Sequence, residues 1–128
     1  MITTALILAG LAAAVHVFIF YLESIAWTGK RARAVFGTTE SEAQATKGLA
    51  FNQGFYNLFL AIAVLVGVVL TAAGHTVAGA TSVFVGAASM AAAALVLVLS
   101  DRDYASAALK QGVLPGLAVI LLAVGLAL

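Results

Sequence analysis

The sequence has no cysteine and one proline, and charged side chains make up only 9% of its 128 residues. Without cysteine there can be no disulfide, no thiol redox chemistry and no thiolate metal site, and the redox compartment leaves no mark. Six Lys and Arg against five Asp and Glu leave a formal net charge of +1, which provides none of the basic face that nucleic-acid binding requires. Soluble domains carry about 25% charged residues, so this scarcity of charge argues against an ordinary soluble fold. In its place are 64% hydrophobic residues and a mean hydropathy of +1.16, a membrane composition. The length suits one membrane domain, residues 1–128, and leaves no room for a separate soluble one.

Four apolar stretches stand out: Ile2–Leu22, Leu49–Leu70, Gly79–Leu99 and Val113–Leu128. The first three match the roughly 20 residues that a helix needs to cross the hydrocarbon core. The last is short, so its span is placed at 111–128 and can gain length by starting near Ala105. Pro115 then either kinks the helix or sits in its first turn. A cleaved signal peptide is the other reading of the N-terminus, but no Lys or Arg precedes the first run and it continues through Phe20; a retained helix is expected. The sequence thus predicts an all-α transmembrane four-helix bundle with antiparallel neighbours.

The connectors carry helix punctuation. Thr28-Gly29 is a plausible stop for span 1, and Thr39 with Glu42 fits a capping box at the start of the second helix. Gly74 ends that helix, and Thr76 is expected to cap the next. Lys30, Arg31, Arg33 and Lys47 lie between spans 1 and 2, and Arg102 and Lys110 between spans 3 and 4. The positive-inside rule makes these connectors cytoplasmic and puts both termini on the non-cytoplasmic side. In the third span Ala78, Ser82 and Gly86 recur every four residues. Such a face suits close packing, either inside the bundle or against a second copy in a homo-oligomer.

This topology gathers the polar residues in the cytosolic half. His16 and Glu23 lie seven apart on the first helix, on one face and about 10 Å apart along the axis. Ionisable residues inside a span are expensive and point to function. Trp27 follows Glu23 by one turn, and the second helix enters with Asn52, Gln53, Tyr56 and Asn57; Gln111 opens the fourth span. Two readings stand side by side. The polar groups are interhelical glue, or they line a pocket in which Glu23 binds a ligand or moves a proton and His16 is the deeper partner. Glu23 has a third option, snorkelling to the headgroups or pairing with Arg31 or Lys47. Trp27 and Tyr21 read as interfacial anchors.

Other signals are weaker. The Lys30-Arg31-Ala32-Arg33 run with Phe36 suits anionic lipid, but setting the topology already accounts for it. Asp101-Arg102-Asp103 reads as a capped turn rather than a metal motif. No Gly-rich phosphate loop, His-x-x-His pair or nucleophile elbow is present, and no metal or cofactor is implied.

His16, Phe20, Glu23 and Trp27, the segment Asn52-Gln53-Gly54-Phe55-Tyr56-Asn57-Leu58-Phe59-Leu60-Ala61, and Gln111-Gly112 with Pro115 together resemble the small four-span bacterial membrane family catalogued as domain of unknown function 1304. That resemblance covers nearly the whole chain. It implies a four-helix protein of a bacterial cytoplasmic membrane and no particular reaction. The expected function is binding or carriage of a small amphipathic or lipid-like ligand in a polar pocket of helices 1 and 2, with membrane lipid as surroundings. The alternatives are an enzyme using Glu23 or His16 as acid/base, with Tyr56 or Asn57 orienting an oxygen, and a structural subunit.

Overall fold

The structure, a computed structural model, describes residues 1–128. The chain is helical and contains no strand. Helix α1 (Ile2–Phe20) runs on into a π turn (Tyr21–Ile25) and is followed by α2 (Lys30–Phe36), α3 (Glu40–Ala72) and α4 (Thr76–Ser100). A short 3-10 turn (Arg102–Tyr104) then leads into α5 (Ala105–Ala127). Four helical segments are long and apolar enough to cross a membrane: Ile2–Ile25, Glu40–Ala72, Thr76–Ser100 and Arg102–Ala127. The chain is therefore built as a multi-pass membrane protein.

The spans form a ring in which α1 touches α3 and α5, and α4 touches α3 and α5. Its interior is mostly alanine. Ala5, Ala9, Ala12 and Ala13 of α1 meet Ala61 and Val64 of α3, Val83, Ala87 and Met90 of α4, and Ala118 and Leu122 of α5. Larger side chains such as Ile7, Leu11, Phe59, Leu65, Val85, Leu95 and Ile120 point outward. In lipid an outward Leu loses nothing, so association rests on close packing, which small residues allow.

The tightest seam joins α3 and α4. A Cβ on Gly67 would stand 2.7 Å from both the Gly79 carbonyl oxygen and the Val83 nitrogen. Further along, Val64 packs on Gly86, and Ser82 Oγ donates to the Ala63 carbonyl at 2.7 Å. The small-residue face expected on the third span is thus consumed inside the bundle by Ser82 and Gly86, while Ala78 stays exposed. Gly79 takes the place expected for Ala78.

Several local expectations are met and others corrected. Thr39 and Glu42 form the full capping box, so α3 starts at Glu40, well before the apolar stretch. Its 33 residues make a helix of about 50 Å, longer than the roughly 30 Å hydrocarbon core, so its polar first turns project beyond it. Asp101 caps its turn by accepting from the Asp103 N–H at 2.9 Å. Thr76 is the first residue of α4 rather than its cap, which is His75. Gly29, in extended conformation, precedes α2 instead of closing α1, which ends through the π turn. Helix α5 begins at Ala105, so Pro115 is buried in mid-helix and not in a first turn.

Two predictions follow from these contacts. Gly67→Ala should cost about 1–3 kcal/mol by overpacking, read from reversible unfolding in mixed micelles. Gly116→Ala, where a Cβ meets open space, should leave stability unchanged or slightly raised. The Thr39 N–H and hydroxyl also hold the exposed Glu42 carboxyl below the usual carboxylate range. Because that value is lowered in the folded state, the cap contributes fully above the ordinary range and is lost as pH falls through the lowered value. Hydrogen exchange at the Glu42 amide, corrected for intrinsic rate, should quicken on acidification in the parent and be fast throughout in Thr39→Ala.

Candidate functional site

Helix α1 leaves α-geometry over Tyr21–Ile25, where the Ala26 N–H reaches back five residues to the Tyr21 carbonyl at 2.9 Å. A π turn of this kind widens the helix by about one residue and re-aims the side chains it contains; such turns are frequent at functional sites. Here it points Leu22 and Glu23 inward at the crossing with α3. Glu23 is 9% exposed, and its Oε2 accepts from Asn57 Nδ2 at 2.8 Å; Asn57 is likewise 9% exposed. The same amide lies 3.4 Å from the Gln53 carbonyl of its own helix.

Beside this bond the backbones nearly touch. A Cβ on Gly54 would collide with Ser24 Oγ and stand 3.1 Å from Glu23 Cβ and the Phe20 carbonyl. Ser24 Oγ instead donates across the crossing to the Phe51 carbonyl at 2.8 Å. Phe55 flanks Gly54, with ring centroids 5.1 Å from Phe20, 5.1 Å from Phe51 and 6.1 Å from Phe59. The crossing therefore holds a polar kernel of Glu23, Asn57 and Ser24, with a row of phenylalanine rings linking Phe20 to α3.

Of the eight residues singled out from the sequence, the structure brings Glu23 and Asn57 together. Asn52 and Gln53 are exposed, and Tyr56 is 58% exposed, because the face of α3 that meets α1 is the Gly54–Asn57 face. The expectation that Asn52 and Tyr56 join Asn57 against helix 1 is corrected by this helix phase. His16 faces inward, 2% exposed, and its Nδ1 donates to the Ala12 carbonyl of its own helix at 2.9 Å. It shares no hydrogen-bond partner with Glu23. Gln111 is half-buried in α5, one turn before Pro115, which offers its carbonyl no N–H.

Trp27 lies beyond the π turn, and its Nε1 donates to Thr46 Oγ1 at 3.1 Å, whose hydroxyl donates in turn to the Glu42 carbonyl at 2.7 Å. Its ring packs on Phe36, centroids 5.1 Å apart. Arg31, expected as a possible partner of Glu23, has its guanidinium over the Phe18 ring, 5.2 Å from the centroid. Ser24, Thr46 and Gly54 were not among the residues singled out. Only the adjacency of Ser24 to Glu23 and the small Gly54 inside the motif segment marked them.

Two open concavities, of about 250 and 260 Å³, lie elsewhere. One runs between α4 and α5 along Ala94, Leu95, Val98, Ala108 and Gly112; the other lies by Thr76, Phe84 and Leu126. Neither is lined by any of the eight residues. At their crossing Glu23 and Asn57 are both buried.

Replacing Asn57 by Leu would leave the buried carboxyl without its donor, at an expected cost of about 1–3 kcal/mol. Asn57→Asp should be worse, because it sets two acids face to face. Thermal unfolding in detergent across Asn57→Leu, Asn57→Asp and Asn52→Leu checks this; the exposed Asn52 should be nearly silent.

No curated protein and no solved structure matches the chain. A family model described as "Protein of unknown function (DUF1304)" matches residues 10–123. That stretch takes in His16, the π turn with Glu23, the Gly54–Asn57 face and Pro115, so the chain belongs to this family.

Proposed function

We propose that the protein is a small multi-pass membrane protein that binds a small amphipathic ligand, or carries a proton with it, at the Glu23–Asn57 crossing. One observation carries this reading: an ionisable carboxyl lies inside an apolar bundle with a single side-chain amide for a partner. Such a group is costly in a membrane, and the residues that bear it usually serve transport or ligand pathways. The Asn57 amide occupies the place that a ligand's donor group, an amine, amide or hydroxyl, would take on Glu23. The π turn supplies a local departure from helix geometry through which the crossing can open.

Successive spans run antiparallel in this reading, the connectors around α2 and around Arg102 face the cytoplasm of a bacterial inner membrane, and both termini face outward. The distribution of Lys and Arg supports it, because all six lie in those two connectors or the adjacent helix ends. The absence of cysteine makes the test direct. In spheroplasts, Ser41→Cys should resist an impermeant maleimide until lysis, whereas His75→Cys should react at once. The opposite pattern inverts the topology.

A second reading treats the kernel as interhelical glue, and the close approach at Gly54 favours it. Each such contact is worth on the order of 1 kcal/mol in lipid. The enzyme reading loses Tyr56, which is turned outward, and keeps Asn57, whose amide is already engaged by Glu23.

Native mass spectrometry separates the first two. The protein would be extracted from its own membrane as the parent and as Glu23→Gln, whose amide oxygen can still accept from Asn57. Binding requires a small adduct on the parent that Glu23→Gln loses while its melting temperature stays unchanged. Identical spectra for the two proteins leave the glue reading standing and remove the site.

A further inference from the structure

The connector after the π turn carries chemistry that the Glu23 crossing does not use. Between Glu23 and Glu40 there is no acidic residue, while Lys30, Arg31 and Arg33 fall within one short helix. At the C-terminal turn of α2 the Arg33 carbonyl accepts from the Thr38 N–H at 3.1 Å, so the two residues are held together through the backbone. The side chains of these two residues are also those with buried polar atoms that lack a partner: Arg33 Nε and Thr38 Oγ1. Leaving a buried donor unmade is expensive, so paired orphans mark a place where an acceptor belongs.

The surroundings specify the acceptor. Arg31 is turned back over Phe18, which holds α2 against the side of the first span. Trp27 and Phe36 pack together on the same connector, and Lys47 is next in sequence to Thr46, which holds Trp27. Thr38 also precedes the N-cap of α3, whose N-terminal pole favours an anion. The nearby acids are Glu40 and Glu42, and Glu42 is engaged by Thr39.

We propose that the α2 turn is a binding site for the phosphate of an anionic phospholipid headgroup. With a shift of the Arg33 and Thr38 side chains, which close over these atoms in this structure, phosphate oxygens accept from Arg33 Nε–H and the Thr38 hydroxyl, while Lys30, Arg31 and Lys47 provide the surrounding positive field. The site is independent of any ligand at Glu23.

Trp27 is the sole tryptophan and reports on it directly. The full-length protein is placed in vesicles of phosphatidylcholine with phosphatidylglycerol, one or the other brominated near the headgroup end of its chains. Brominated phosphatidylglycerol should quench Trp27 about fivefold more effectively than its mole fraction predicts, the scale of one cation at an anionic surface. Arg33→Gln should abolish most of that preference, and so should Thr38→Val, which changes no charge. Lys30→Gln, which removes a charge but no direct donor, should lose clearly less of it than either, and circular dichroism verifies that each variant is folded.

Random mixing in the parent overturns the proposal. Preference retained in Thr38→Val, with equal losses in Lys30→Gln and Arg33→Gln, also overturns it, because diffuse charge then suffices. Displacement of the preference by inorganic phosphate at constant ionic strength overturns the lipid as occupant in favour of the free anion.

Discussion

Close approach of helix backbones through small residues is the constraint on which the rest of this molecule depends. Inside lipid there is no hydrophobic force to drive apolar helices together, so contact must come from packing density and interhelical hydrogen bonds. Gly67 against Gly79, Val64 against Gly86, and the alanines of α1 against α3 and α5 provide the packing. Where the backbones approach most closely, short hydroxyl side chains reach carbonyls on the neighbouring helix: Ser82 to Ala63 in the α3–α4 seam, and Ser24 to Phe51 in the α1–α3 crossing. Helix α3 is thus fastened to both neighbours by one device, a glycine for approach and a serine for the bond.

The same closeness decides what the polar kernel is. Gly54 brings α3 so near the end of α1 that a Cβ there would meet Ser24 and Glu23, and within that approach the Glu23 carboxyl accepts from the Asn57 amide. The π turn lies at this contact, with both Glu23 and the adjacent Leu22 buried in it. Local backbone deviation, burial of a titratable group and closeness of helices are one feature seen at three scales. Separating α1 from α3 there would break the Ser24 bond and the Gly54 contact together with the Glu23–Asn57 pair.

Around the basic end the helices are gathered by a collar. Trp27 bonds to Thr46 and packs on Phe36, which ties the end of α1 to α2 and to the projecting start of α3. The capping box at Thr39 begins α3 early enough for Thr46 to be helical and in reach. Aromatic and hydroxyl groups do here what glycine and alanine do within the bundle, because at the interface water and headgroups can satisfy the remaining polar atoms.

The membrane class, four long apolar helices, the capping box and the inward placing of His16 were legible in the sequence, whereas for Glu23 snorkelling and pairing with Arg31 or Lys47 stayed open. They depend on composition, on length against bilayer thickness and on local spacing, all of which act within one segment. The membership suggested by the Asn52–Ala61 segment was legible for the same reason, since a contiguous motif needs no partner helix. Which of Asn52, Gln53, Tyr56 and Asn57 faces α1 was not legible. A polar i, i+4 pair lies on both sides of α3, and only the position of Gly54 against Ser24 selects the Asn57 side. Nor could spacing choose between Ala78 and Gly79 for the α4 seam, or place a π turn at Tyr21–Ile25. Those choices were made by tertiary structure, because helix phase and backbone distance exist only once two helices are in contact.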